Sequence, residues 1–405
     1  MSEPNQQDLS EFPFLRLPFL AMRNAVGQMA VLDIYKLSKS SRVCKNRVKQ
    51  MNLKTKGINV HANDKYSSIH VIPNYDDIRI TTREQLMENK PPAQYFFSKK
   101  EDISCHMEDK GPKEHHVVPD HLVGCTDMAK EMNQLIEMKK CAYDFLLPIK
   151  STEETINLMS RAIEGKCNFI SLSARWYVKD RNRYERVIDK RIFDYLMDNL
   201  NLDVGMNINA FLPNNYNHEN LFKFQENNFN EASWVTIELL KSLRNVQRLT
   251  LLNMNLNSKD INEFISYVAN CEEDMVEDIR MSMNRESTFK EDEILDQLTS
   301  LRDSRYGAHH LIKVRYPKNR KRILMQLRVY ECMKTIHLVT IEKIEDYKVQ
   351  LEILELMEKA KELEGELLET EEREKQVGGG HLMERKEAIR LELAEIRQKL
   401  FQYQN

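Results

Sequence analysis

Between Val246 and Leu301 a strand pattern and a helix pattern alternate, and this alternation constrains the fold more than any other feature. VQRLTLLNM (246–254) reads as a strand and SKDINEFISYVAN (258–270) as a helix capped by Ser258. EDIRMSM (277–283) reads as a strand and KEDEILDQLTSL (290–301) as a helix. A strand–helix unit recurring at about 30 residues predicts a short stack of βα units, because one such unit cannot bury its own apolar face. The pattern extends upstream through CNFISLSA (167–174, strand), VIDKRIFDYLMDNL (187–200, helix), VGMNINAFL (204–212, strand) and SWVTIELLKSL (233–243, helix, with Ser233 as cap). Downstream, HLIKVRY and ILMQLRVYE read as a hairpin turning at Pro317-Lys318-Asn319.

The flanks keep other periods. Residues 12–51 read as three short helices, with Pro18 in the first turn of the first. Met22, Val26 and Met29 line one side of that helix, and Ile34 and Leu37 point inward from the second. Ser40 or Ser41 caps the third, which carries Val43, Cys44, Val48 and Met51 on one side and Arg42, Lys45, Arg47 and Lys49 on the other. GINVHA, SSIHVI and DIRIT, between 57 and 81, alternate as strands, with turns at Asn63-Asp64 and Pro73-Asn74. Residues 98–135 are polar and charged and predict a loop or an insert without order. In the tail, Val349, Ile353, Leu356, Ala360, Leu363 and Leu367 recur at four and three, as do Ile389, Leu393, Ile396, Leu400 and Tyr403. Gly378-Gly379-Gly380 separates the two runs, which predicts an antiparallel helical hairpin.

The predicted class is therefore a mixed α+β and α/β chain. Its expected parts are a disordered N-terminus (1–11), a three-helix module (12–51), a β segment (52–97), a polar insert (98–140), a βα-repeat domain resembling a leucine-rich repeat (141–340) and a coiled-coil hairpin (341–405).

Charge and motifs narrow the function. The 60 Lys and Arg nearly balance the 63 Asp and Glu, which argues against a dedicated nucleic-acid binder. Seven cysteines without a C-x-x-C predict reduced thiols and a cytoplasmic or nuclear location. MSEPNQQDLSEF is too polar for a secretion signal, and no apolar run is long enough to span a membrane, so no membrane partner is expected. There is no nucleophile elbow, no phosphate-cradling glycine loop and no His-x-x-x-His, so no catalytic residue is assigned. Cys105, His106, His115, His116, His121 and Cys125 lack the tight paired spacing of a zinc site, so neither metal nor cofactor is expected. The basic run RYPKNRKR (315–322) reads as a solvated turn, with phosphate binding or nuclear targeting as its rival. Trp234 reads as a core anchor at a helix start.

EFPFLRLPFLAMRNAVGQM (11–29) remains unexplained. A unit of about 40 residues buries too little surface to stand alone without staples, and this one has no disulfide pair and no metal set. Its apolar residues need either the rest of the chain or a partner protein.

Here the sequence resembles a known family. Phe12-Pro13-Phe14-Leu15-Arg16-Leu17-Pro18, Met29, Asp33-Ile34, Leu37-Ser38 and Ser41-Arg42-Val43-Cys44-Lys45 are similar, in order and spacing, to the F-box of nematode-type F-box proteins. A second stretch is similar to the type 2 F-box-associated domain of the same proteins. It comprises Ser233-Trp234, Leu239-Leu240, Leu249, Leu251, Asn257-Ser258, Asp260-Ile261-Asn262 and Phe264. Gly27 and Ala25, inside the first helix, depart from the pattern, as do Tyr267 and Val268, where a tryptophan is common. The long hairpin tail lies outside it. The resemblance implies a non-catalytic adaptor that docks on the Skp-type subunit of a cullin-RING ubiquitin ligase and presents a protein substrate with its βα domain. The docking residues it implies are Leu17, Pro18, Met22, Val26, Met29, Ile34 and Leu37. The tail, residues 349–403, is left with self-association, target binding or packing on the chain as its uses. The rival reading is a coiled-coil scaffold whose N-terminal helices only cap the next domain. It requires the apolar residues of 17–37 to be covered within the chain, whereas the adaptor requires them accessible.

Overall fold

The computed structural model describes residues 14–62, 67–72, 76–81, 114–117, 120–147, 151–174, 187–213, 216–303, 309–315, 320–342, 345–377 and 380–404. It is a mixed α/β chain with a C-terminal helical pair, and it divides into two compact units, Met1–Asn207 and Ile208–Asn405. The division falls inside the stretch read as one domain, 141–340.

The first unit begins with a 3-10 turn at Phe14–Arg16, then α1 (Phe19–Gly27), α2 (Val31–Ser40) and α3 (Arg42–Gln50). Pro18 is the N-cap of α1 and lies one position before the helix, so it is not in the first turn as read. Ser41 caps α3 by accepting from the Cys44 amide, while Val43, read as inward, is exposed because the buried stripe of α3 runs through Cys44 and Val48. β1 (Lys54–Ala62), β2 (Ser67–Ile72) and β3 (Asp76–Thr81) pair antiparallel in sequence order, as the alternation implied. The turns read at Asn63-Asp64 and Pro73-Asn74 lie outside the described residues.

The polar insert is corrected in part. Glu114–Val117 forms β4, parallel to β3, and His121–Leu135 forms α4. Leu122, Cys125, Met128, Ala129, Met132 and Leu135 are buried at spacings of three and four. The Asp120 carboxylate caps that helix by accepting from the amides of Leu122 and Val123. The surrounding charge hid a helix with a full apolar stripe. β5 (Glu137–Leu146) then inserts parallel to β1, followed by α5 (Thr152–Glu164), β6 (Phe169–Ser173), α6 (Lys190–Asn199) and β7 (Gly205–Asn209). The strand order is β4-β3-β2-β1-β5-β6-β7.

In the second unit the order is β8 (Glu226–Phe229), β9 (Val246–Met254), β10 (Val276–Met283), β14 (Thr335–Ile341), β13 (Leu324–Tyr330), β12 (His309–Lys313) and β11 (Ser300–Asp303). The first three are parallel and the rest antiparallel. The β9–α8–β10 unit matches the repeat, with α8 at Ser258–Asn270, yet its cap is Asn257 in a capping box with Asp260. Ser258 is buried instead and accepts from the Lys290 amide at 2.9 Å. The helix expected at 233–243 shrinks to α7 (Ile237–Lys241), capped by Thr236 rather than Ser233.

The helix expected at 290–301 is likewise short, α9 (Glu291–Ile294). Gln297 turns left-handed at φ 58°, and Ser300–Asp303 leaves to pair with β12, which would otherwise be an open edge. The β12–β13 hairpin is present, although its turn at 317–319 lies outside the described residues. β14, which sequence reading missed, follows a 3-10 turn and the left-handed Lys334.

α10 (Lys348–Val377) and α11 (Gly380–Gln404) form the antiparallel hairpin. Its ion pairs fix the direction: Glu364 meets Arg397, Glu371 meets Arg390 and Glu374 meets Lys386. Leu363, Ile389, Leu393 and Ile396 form the seam, with Leu356, Ala360, Leu367 and Leu400 packed against it. Leu354 is fully buried against Leu311 and Leu324, and Lys313 holds Glu355 and Glu358 at 3.2 and 3.3 Å. The hairpin is thereby rooted on the second unit's own sheet. Val349 and Tyr403, read into the seam, are exposed at its open ends.

Candidate interaction surfaces

The N-terminal helices divide their apolar residues between two tasks. Met22, Val26 and Ile34 are 1, 0 and 5 % exposed, so these three of the seven docking residues do not stay accessible. They fall on the inward stripes of α1 and α2, and the chain itself covers them. Leu17, Met29 and Leu37 are half-buried and Pro18 is exposed. Further accessible apolar surface is carried by neighbours outside that set of seven: Leu15, Phe19, Leu20 and Val43, exposed to 44, 42, 67 and 56 %. The signal that could have found two of them is position on the helix. Leu20 stands off the stripe that Met22 and Val26 share, and Phe19, though three residues before Met22 on that stripe, is the first residue of the helix and stays 42 % exposed. Eight Lys and Arg against one Asp between Leu15 and Gln50 surround this surface with positive charge.

α2 is tied to α4 by polar contacts that converge on Glu131. The Tyr35 hydroxyl donates to it at 3.0 Å and Lys39 pairs with it at 2.6 Å. Burial alone would raise the Glu131 carboxyl, but the hydrogen bonds from Lys39 and Tyr35 outweigh it and hold the pKa below the usual range. Burial, helped by the same carboxylate, pushes the Tyr35 phenol up.

The first unit's sheet carries a polar row on one side. Ile58, Val60, Tyr143, Phe145, Ile170 and Leu172 are buried, and the polar Asn59, His61, Asp144 and Ser171 alternate with them. His61 Nδ1 lies 3.2 Å from Asp144 Oδ2, its ring meets His70 edge-on at 4.9 Å, and His70 Nε2 lies 3.1 Å from Ser68 Oγ. Asn207 donates to Ser171 Oγ at 3.1 Å. Ser68 and Asp144 contact different imidazoles, so Asp144 does not orient the histidine that Ser68 touches.

Three buried thiols of the first unit are held in the neutral form. Burial pushes Cys141 up to about 11 and Cys167 up to about 12, and drives Cys125 upward as well. His115 and His116 sit in β4 and His121 opens α4, while Cys105 and His106 lie outside the described residues. Among the described residues no group of three or more His, Cys, Asp or Glu side chains is placed to hold a metal ion, and no helix is long and apolar enough to cross a membrane.

In the second unit Trp234 stacks on Phe222 at 6.2 Å and meets Phe229 edge-on at 5.5 Å, as a core anchor does. The basic run is not wholly a solvated turn. Arg320 is buried, donates to the carbonyls of Val268 and Cys271 and lies 3.5 Å from Asp274, so it closes the end of α8. Arg322 pairs with Glu277 at 2.8 Å. An open recess of about 420 Å³ is lined by Arg244, Tyr267, Asn270, Cys271 and Glu273. Ligand pockets bury most of their ligand and are largely apolar, and this recess is neither deep nor apolar. No protein-family model, no curated protein and no solved structure matches the chain.

Proposed function

We propose that the protein is a non-catalytic substrate-recognition adaptor of a Skp-cullin-F-box type ubiquitin ligase. The N-terminal helices dock on the Skp-type adaptor subunit, and the βα domain holds a protein target. The observation that carries this reading is the exposed apolar surface of Leu15, Phe19 and Leu20 at the start of α1. It adjoins Leu17 and Pro18, the segment on which the resemblance to F-box proteins places docking. Its contribution to the reaction is proximity, since tethering a target raises its local concentration at the transfer site. Such a role belongs to the cytoplasm or nucleus and needs no cofactor.

The test is a pull-down of the full chain by the Skp-type subunit. Phe19→Ala/Leu20→Ala changes only exposed side chains and leaves the fold intact. Capture of the wild type, lost in the double variant, supports docking; equal capture of both, or of neither, ends it.

A second reading has its own observation. Met22, Val26 and Ile34 are covered within the chain, and α2 is fastened to α4 through Glu131. That is what a scaffold protein with a helical cap requires, with the tail hairpin as its association element. A failed pull-down together with dimerisation through residues 349–403 selects this reading.

A further inference from the structure

The second unit's sheet has one closed and one open side. Leu249, Leu251, Ile279, Met281, Ile336, Leu338 and Leu327 alternate inward and are buried. The β9–α8–β10 crossover puts α8 over that side, with Ile261, Phe264, Ile265 and Val268 buried beneath it. The alternate residues face the other way and stay exposed or half-buried: Arg248 and Thr250 on β9, Asp278 and Arg280 on β10, His337 and Val339 on β14, Gln326 and Arg328 on β13.

The register aligns their charges. Thr250, Arg280, His337 and Arg328 stand side by side on four successive strands. Arg248 stands one step along, opposite Asp278. Asp278 is already engaged by His337 at 2.8 Å. Arg248, Arg280 and Arg328 have no ion pair among the described residues. At the far end of the same side, α10 packs Leu354 on Leu311 and Leu324, and Lys313 neutralises Glu355 and Glu358. The open side is thus a stripe with an arginine excess, bounded along one edge by the root of the hairpin.

From this geometry we infer that the open sheet face carrying Arg248, Arg280, Arg328 and His337 binds an acidic segment of a partner protein. This deepens the target-binding half of the reading above and rests on it. Planar guanidinium groups spaced along neighbouring strands suit carboxylates, which they engage through paired hydrogen bonds. A nucleic-acid backbone fits less well, because a polyanion that long would meet the rest of a chain whose 63 Asp and Glu outnumber its 60 Lys and Arg, whereas a short acidic segment spans only the stripe.

The test uses the full chain and a fluorescent Glu-rich peptide, read by anisotropy, with polyuridylate as the second probe. The wild type binds the peptide, and Arg280→Gln/Arg328→Gln weakens it by about tenfold or more, because charge-assisted hydrogen bonds are lost. Lys259→Gln, an exposed cation on α8, leaves binding unchanged. No binding of the peptide by the wild type, equal loss in both variants, or tighter binding of polyuridylate than of the peptide overturns the inference. Capture by the Skp-type subunit is measured on the same samples. Its loss with peptide binding intact removes the docking reading alone, and its retention with peptide binding absent removes this inference alone.

Discussion

Gly57 shows how much one residue decides. It sits in β1 at φ +150°, and a Cβ there would stand 2.1 Å from the Lys140 carbonyl oxygen of the neighbouring β5. Only glycine satisfies both the backbone angle and the parallel β1–β5 pairing. Gly57→Ala is expected to cost more than about 2 kcal/mol, read as a lowered midpoint in thermal or urea denaturation. An unchanged midpoint would mean that β1 and β5 are not paired in this register.

Glu131 makes a second prediction at this scale. Its carboxyl is held below the usual value, so its contribution is present above about 4.5 and is lost as pH falls through the lowered folded value. Glu131→Gln should therefore destabilise the protein at neutral pH, with a penalty that shrinks on acidification. A penalty independent of pH would contradict the Tyr35–Glu131–Lys39 arrangement. Lys334 explains a failure of sequence reading. The turn into β14 is left-handed at φ 48° without Gly or Asn, because the lysine Nζ donates to the Ser287 carbonyl at 2.7 Å. A tertiary contact replaces local turn chemistry there, and no sequence pattern announces it.

At the scale of elements, periodicity was legible where one face is buried and the other is not. β1, β2, β9, α8 and the two tail helices all follow it, and β9 and α8 keep their read boundaries. It failed where another part of the chain competed for the segment. KEDEILDQLTSL has helical spacing throughout, yet β12 draws Ser300–Asp303 into a sheet edge. α4 was hidden by its charged surroundings, although its stripe from Leu122 to Leu135 is regular. The seam of the hairpin was legible, but its root was not, since Leu354 falls outside the heptad positions. Leu354→Ala is expected to cost about 3 kcal/mol, because it empties a fully buried site between α10 and the sheet. Hydrogen exchange should then quicken in the first turns of α10 before it does so in the Leu363–Ile396 seam. Uniform acceleration along both helices would contradict the assignment of Leu354 as the root.

At the scale of the whole molecule, the described residues offer exposed apolar side chains on α1 and charged side chains on an open sheet face. The excess of apolar residues over 12–51 was legible in the sequence, but which of them are covered within the chain was not. Which leucine is covered depends on what α1 and α2 pack against, and Met22, Val26 and Ile34 turn inward while Phe19 and Leu20 turn out. The arginine stripe was equally illegible, because Arg248, Arg280 and Arg328 become neighbours only through strand order and register. On the proposed adaptor reading, the outward side of α1 docks on the Skp-type subunit. The most direct measurement is the calorimetric affinity of the full chain for the Skp-type subunit, comparing Leu20→Glu with Leu368→Glu. The two leucines are matched in exposure, at 67 and 64 %, and differ only in place. Leu20→Glu is expected to abolish measurable binding while Leu368→Glu leaves the wild-type affinity. Equal affinities in all three proteins would contradict it.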